Sequence, residues 1–214
     1  PARWNKLVVA PIWLRDRFIA LIDREIAHAK EGKEAYIVAK MNSLCDRQII
    51  EKLYEASSVG VEIYLVIRGI CCLRTGIPGV SEHIHVTSIV GTFLEHSRIF
   101  YFYNNGQEDI YMGSADWMPR NLDRRVEIVF PVEDDVIKDR IKHILDVLLR
   151  DNLKAYAMLS DGTYAKMSRR GKQAIGAQMT FCREAMEGAK EETTVWKGRR
   201  FIPIWAFDEE EHET

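Results

Sequence analysis

Very little in this sequence serves disulfide or metal chemistry. Its four cysteines, Cys45, Cys71, Cys72 and Cys182, form no Cys-x-x-Cys pair, and no nearby histidines complete a zinc pattern. They read as structural thiols of a reducing compartment. No apolar run approaches the roughly 18 residues that cross a bilayer as a helix. An excess of one charge is missing too: 30 basic and 32 acidic residues leave a formal net charge of −2. That excludes a surface coating polyanions all over, so any anion site has to be a local cluster. The chain shows no secretory leader, internal repeat or low-complexity segment, and it opens on proline instead of methionine. It reads as a piece of a longer protein.

What is present suits a folded domain, since 47% of the 214 residues are apolar. "RDRFIALIDREIAHAKEG" sets Phe18, Leu21, Ile22, Ile26 and Ala29 at helical spacing, with Gly32 as the stop. "AYIVAKMN" predicts a short apolar strand, "DRQIIEKLYEASSVG" a second helix, and "VEIYLVIRG" a strand covered on both faces. Strand, helix and strand with short connections predict a βαβ unit and a parallel pair. After a long loop come the strand "IHVTSIVG" and two β-rich runs around Asn104-Asn105-Gly106, a hairpin signal. Further on are the strand "RRVEIVFPV", the amphipathic helix "EDDVIKDRIKHILDVLLRDN" and a small hairpin at "SDG". A last helix over "GKQAIGAQMTFCREAMEGAK" places Ile175, Met179, Cys182 and Met186 on one stripe. The fold class is α/β, a mixed β-sheet flanked by helices. One domain is expected over residues 1–190, followed by a tail, 191–214, with no assigned structure.

The chemistry gathers at strand ends. In "FLEHSRIFYF", His96 and Arg98 project to one side of a strand. Folding the hairpin lays residues 96–98 beside residues 113–115, so the two meet "GSAD", Gly113 to Asp116. Arg125 and Glu127 share a face of the next strand. Arg68 ends the buried strand "VEIYLVIRG" and Asn42 ends its parallel neighbour, the position where open α/β sheets bind ligands. Guanidinium forks match phosphate oxygens, and a Gly-Ser turn lets N–H groups approach a phosphate. A histidine can exchange a proton near neutral pH or attack phosphorus. The convergence points to phosphate chemistry with His96 and Glu127 as catalytic candidates, Glu127 fixing the His96 tautomer. Arg68, His96, Arg98, Ser114, Arg125 and Asn42 are phosphate-binding candidates, and no residue is assigned to a metal. Asn42 reads equally well as a turn residue. The basic clusters Lys166–Lys172 and Arg199–Arg200 read as solvated faces. His83 and His85 read as structural, and His28 and His143 as surface positions on helices.

His-x-Arg followed by Gly-Ser-x-Asp resembles the phospholipase D superfamily pattern, His-x-Lys followed by Gly-Ser-x-Asn. It departs from it at Arg98, at Asp116, at Tyr103 where that superfamily has aspartate, and in a longer gap before Gly113. "KMNSLCD", "EASSVGVEIYLVIRGICCL", "FLEHSRIF" and "SADWMPRNLDRRVE" more specifically resemble the last domain of bacterial polyphosphate kinases, in order over about Asn5 to Gln178. The resemblance implies a phospholipase-D-like domain, the last of four, sharing reversible transfer of the ATP γ-phosphate to polyphosphate. By it, His96 matches the second active-site histidine, Arg68 a nucleotide-phosphate ligand, Arg125 a phosphate ligand and Glu127 a histidine-supporting residue. The phosphorylated histidine and the main Mg2+ ligands lie in the preceding domain. Partners are then ATP, ADP, polyphosphate, the upstream domains and further copies in a homo-oligomer, with no nucleic acid. The location is cytoplasmic, with peripheral association at the inner membrane as an option. Two alternatives stay open: a polyanion-binding module without catalysis, and a phospholipase-D-like phosphodiesterase.

Overall fold

The computed structural model describes Trp4 and residues 6–192, with side chains placed through residue 189. Contacts divide the chain into a first unit, Pro1–Thr180, and a second, Phe181–Thr214. The first unit holds a sheet of nine strands among the described residues: β1 (Val8–Ala10), β2 (Tyr36–Met41), β3 (Glu62–Ile67), β4 (Ile84–Ile89), β5 (Arg98–Phe102), β6 (Asp109–Gly113), β7 (Glu127–Pro131), β8 (Ala155–Met158) and β9 (Tyr164–Lys166). Their order is β1-β7-β6-β5-β2-β3-β4-β8-β9. The pairs β2–β3 and β3–β4 are parallel and the others antiparallel. This is the mixed sheet read from the sequence.

Helices cover both faces, and strand periodicity sorts the core between them. α1 (Leu14–Lys30) buries Leu14, Phe18, Leu21, Ile22 and Ile26, while α2 (Arg47–Ser58) buries Ile49, Ile50 and Leu53. They pack on the face carrying Ile37, Ala39 and Met41 of β2 and Phe100 and Phe102 of β5. α3 (Asp135–Leu149) packs Ile141 and Leu145 on the other face, against Val38, Ile99, Tyr101 and Ile110. Asp46 and Asp134 start α2 and α3 by accepting from Ile49 N at 3.1 Å and Ile137 N at 3.0 Å, which satisfies donors that the first turn leaves open. Asn104 and Asn105 take φ of 48° and 50° at the hairpin, conformations that asparagine tolerates. The resulting register sets Arg98 opposite Gly113, inside the span expected.

Three features differ from the sequence reading. β1 was not anticipated, because three residues before a proline are too few to show a period. The last helix, α4 (Ala177–Glu192), begins at Ala177, so Ile175 lies outside its stripe. Asn152 holds that residue in a loop, accepting from Ile175 N at 3.0 Å and donating its own N–H to Ile175 O at 3.0 Å. His28, read as a surface position, is the third: it is half-buried, with Nε2 3.3 Å from Asn104 Oδ1. His83, with Glu62 2.6 Å from its Nδ1, and His85, stacked on Tyr64, are structural as read. The tail from residue 193 onward lies outside the described residues. No described helix is long and apolar enough to cross a membrane.

Candidate functional site

One edge of the sheet collects the site. The carboxyl ends of parallel β2 and β3 lie there, and antiparallel pairing brings the amino end of β5, the carboxyl end of β6 and the amino end of β7 to the same edge. β2 leads to Asn42, β3 to Arg68, and β6 to Ser114 and Asp116. β5 opens on Arg98 just after His96, and β7 opens on Glu127 just after Arg125. Beneath them Phe18, Phe100 and Trp117 form a closed aromatic cluster with ring centroids 4.6–5.4 Å apart, which gives the edge a rigid floor.

Asp116 is the hub. It is buried, accepts from Asn42 N at 2.8 Å, and takes Arg98 Nε at 3.0 Å and a second guanidinium nitrogen at 3.4 Å. Arg98 also donates to the His96 carbonyl at 2.8 Å. This guanidinium is therefore spent on holding the β2, β5 and β6 ends together. Arg68 stands differently. It is half-buried and donates twice to Asn42 Oδ1, at 3.0 and 2.5 Å; it meets no carboxylate among the described residues. Asn42 thus orients Arg68 without neutralising it.

Glu127, buried at the start of β7, accepts from Ser114 Oγ and from Asn121 Nδ2. The direct bond expected from Glu127 to His96 is not formed; its two carboxylate oxygens face Ser114 and Asn121 instead. The His96 imidazole is exposed and holds no hydrogen bond to a described residue, and Arg125 is exposed without an ion partner among them. Gly113 has a packing reason: a Cβ there would collide with the Ile128 carbonyl and stand 2.6 Å from Val129 Cγ2. The edge thus joins Asn42, Arg68, Arg98 and the His96 main chain through Asp116, and Ser114 with Glu127 through β7. Arg125 is joined to neither group.

Two residues were missed. Lys40 on β2 is only 5% exposed, donates to Ser97 O at 3.1 Å and lies 3.7 Å from Glu95. Burial holds its ammonium below the ordinary lysine range, against the opposing pull of Glu95. The signal was a cation inside the apolar run "AYIVAKMN". Asn121 gave no signal, since its contact depends on a single π-helical turn, Arg120–Arg124.

A mixed sheet that carries an oriented, unneutralised arginine at the carboxyl end of β3 and an exposed histidine just before β5 defines an α/β domain with its polar residues gathered at one edge. The comparisons place it more narrowly: residues 7–178 match the family described as polyphosphate kinase C-terminal domain 2, and the chain belongs to that family. It is 57% identical over 161 residues to polyphosphate kinase of Thermosynechococcus vestitus, covering 75% of this chain and 22% of that protein. The crystal structure of polyphosphate kinase from Porphyromonas gingivalis superposes with a TM-score of 0.84 at 42% identity, over 90% of this chain and 29% of that one. NucT from Helicobacter pylori, 14% identical, superposes with a TM-score of 0.50 over 67% of this chain and 93% of its own. At that identity the likeness is one of fold alone. The chain thus spans about a quarter of the length of its polyphosphate kinase relatives.

Proposed function

We propose that this chain supplies one half of the site where a polyphosphate kinase moves a phosphoryl group between ATP and polyphosphate. The observation that carries the reading is Arg68, aimed by Asn42 at the carboxyl end of β3 and left without a carboxylate. Such a guanidinium is prepared for a phosphate anion. Arg68 and Arg125 hold the nucleotide and polyphosphate phosphates. A histidine elsewhere in the longer polypeptide attacks the γ-phosphorus; its N–P bond forms as the P–O bond to ADP breaks. His96 stabilises or protonates the leaving oxygen. In the second transfer the N–P bond breaks and a terminal polyphosphate oxygen takes the phosphoryl group. Positioning and charge stabilisation supply most of the acceleration in such reactions. Glu127 acts through Ser114 or water, in place of a direct bond to His96. Arg98 supports the site by holding Asp116 and the His96 carbonyl.

Magnesium does not fit this chain's own donors. No three His, Cys, Asp or Glu side chains converge among the described residues, and Asp116 and Glu127 are already engaged. In this reading the ion is held by the upstream domains, which together with further copies in a cytoplasmic homo-oligomer are the chain's partners. The chain alone, incubated with radiolabelled ATP and magnesium, should gain no acid-labile phosphate and make no polyphosphate. Adding the separately expressed upstream half should restore labelling on that half only. Robust labelling of His96 in the isolated chain would overturn the assignment. Full activity of His96→Ala in the intact enzyme would favour a binding module without catalysis.

A further inference from the structure

Residues 90–97 connect β4 to β5 and carry His96. No apolar anchor holds this loop, since Val90, Phe93 and Leu94 are 67%, 52% and 78% exposed. Side chains from elsewhere grip its main chain instead. At one end is the buried Lys40, with its 3.1 Å bond to Ser97 O and its ion pair to Glu95. At the other is Gln178, in the first turn of α4. Its amide accepts from Phe93 N at 3.0 Å, donates to Phe93 O at 2.8 Å, and donates to Glu95 Oε1 at 2.9 Å. Gly91 leaves room for that amide, because a Cβ there would collide with Gln178 Oε1 and stand 2.7 Å from its Cδ.

We propose that Lys40 and Gln178 are positioning residues: a two-point clamp that fixes loop 90–97 and so sets where the His96 imidazole stands. The proposal rests on the reading that His96 serves the transferring phosphoryl group. An amide that both accepts from and donates to one residue's main chain substitutes for a strand neighbour and fixes that residue in place. A buried ammonium facing one carboxylate at 3.7 Å is a poor device for stability alone, because an apolar side chain would pack there without the desolvation cost. Both grips meet at Glu95, the residue before His96. Displacing a reacting group by about 1 Å can cost on the order of 10²-fold in rate.

The test uses the full polyphosphate kinase polypeptide that carries this chain, with Lys40→Met, Gln178→Ala and Gly91→Ala. Gly91→Ala should displace Gln178 while leaving the fold intact, since the colliding atoms end a flexible side chain. Each variant should speed amide hydrogen exchange in residues 92–97 by about 10-fold or more and lower kcat by about 10- to 100-fold. The KM for ATP should move less than about 3-fold, because Arg68 is untouched. Gln178→Glu, which removes the donor to Phe93 O and sets a carboxylate against Glu95, should be impaired likewise. Unchanged exchange overturns the clamp whatever the kinetics. Faster exchange with unchanged kcat overturns the positioning role, and His96→Ala measured alongside locates the failure. If that variant is also fully active, the reading of the site has failed; if it is crippled, only the clamp has. Should Lys40→Met fail to fold, the two variants at 91 and 178 decide the matter.

Discussion

At the carboxyl end of β3, Arg68 meets an amide; at the amino end of β5, on the other side of β2, Arg98 meets a carboxylate. The two arginines share a sheet, an edge and partial burial. Asn42 accepts two hydrogen bonds from Arg68 and leaves its charge in place, whereas Asp116 takes Arg98 on two nitrogens and cancels its charge. Whether an arginine at this edge keeps its charge or has it cancelled is thus decided by its neighbour and not by its position along the strand. The same contrast separates the two polar residues at the start of β7. Glu127 accepts from Ser114 and Asn121, while Arg125 stands open to solvent.

The contrast is most severely tested at Arg98. Arg98→Ala leaves Asp116, 3% exposed, buried without its counter-charge, and should cost about 3 kcal/mol of stability in urea unfolding. Arg68→Ala should leave that stability within about 0.5 kcal/mol of the parent. Equal losses in the two variants would erase the distinction. In activity the order reverses. Arg68→Ala in the intact enzyme should lower kcat/KM by about 10²-fold, the scale of losing one preorganised charged contact; unaltered ATP kinetics would remove Arg68 from the site.

A subtler change converts one case into the other. Asn42→Asp gives Arg68 the carboxylate that Arg98 already has, and should weaken ADP and polyphosphate binding by about 10-fold in calorimetry while the guanidinium stays where it is. Tighter binding would show that the Arg68 charge is not what the anion sees. Glu127→Gln sharpens the comparison on β7. One of its two donors would then face an NH2 group, so stability should fall by about 1 kcal/mol, with activity impaired. A variant as stable as the parent would mean that the Ser114 and Asn121 bonds contribute nothing net.

The smallest effect concerns the thiol next to this edge. Burial, then the neighbouring Cys72, pushes the Cys45 thiol up to about 12. Its alkylation by iodoacetamide should still climb about tenfold per pH unit from 8 to 10, where an ordinary thiol levels off. A plateau near pH 9 would show that Cys45 sits in the same open surroundings as Arg125.

Much of this architecture was legible in the residues. The parallel pair β2–β3 followed from two apolar runs around a helical period, and the hairpin from Asn104-Asn105-Gly106. That hairpin alone brought Arg98 beside Gly113, because a turn of known position fixes the register of both arms. Arg68 and Asn42 were placed at the carboxyl ends of their strands because strand ends are visible in hydrophobic patterning. Gly113 was singled out for a phosphate, yet the adjacent β7 backbone explains it equally well.

Periodicity states which way a side chain faces, and turn chemistry states where a strand reverses; both are local, so the sequence by itself determined the α/β class, the β2–β3 pair, the hairpins and the edge at which the polar residues gather. Which polar groups would bond to one another was decided only by the tertiary structure. Asp116 could serve Arg98 or leave it free, Glu127 could face His96 or Ser114, and Lys40 and Gln178 reach the same loop from positions 138 residues apart (178 − 40). A hydrogen bond is made or lost within a fraction of an ångström, a precision that exists only once the strands and helices have packed.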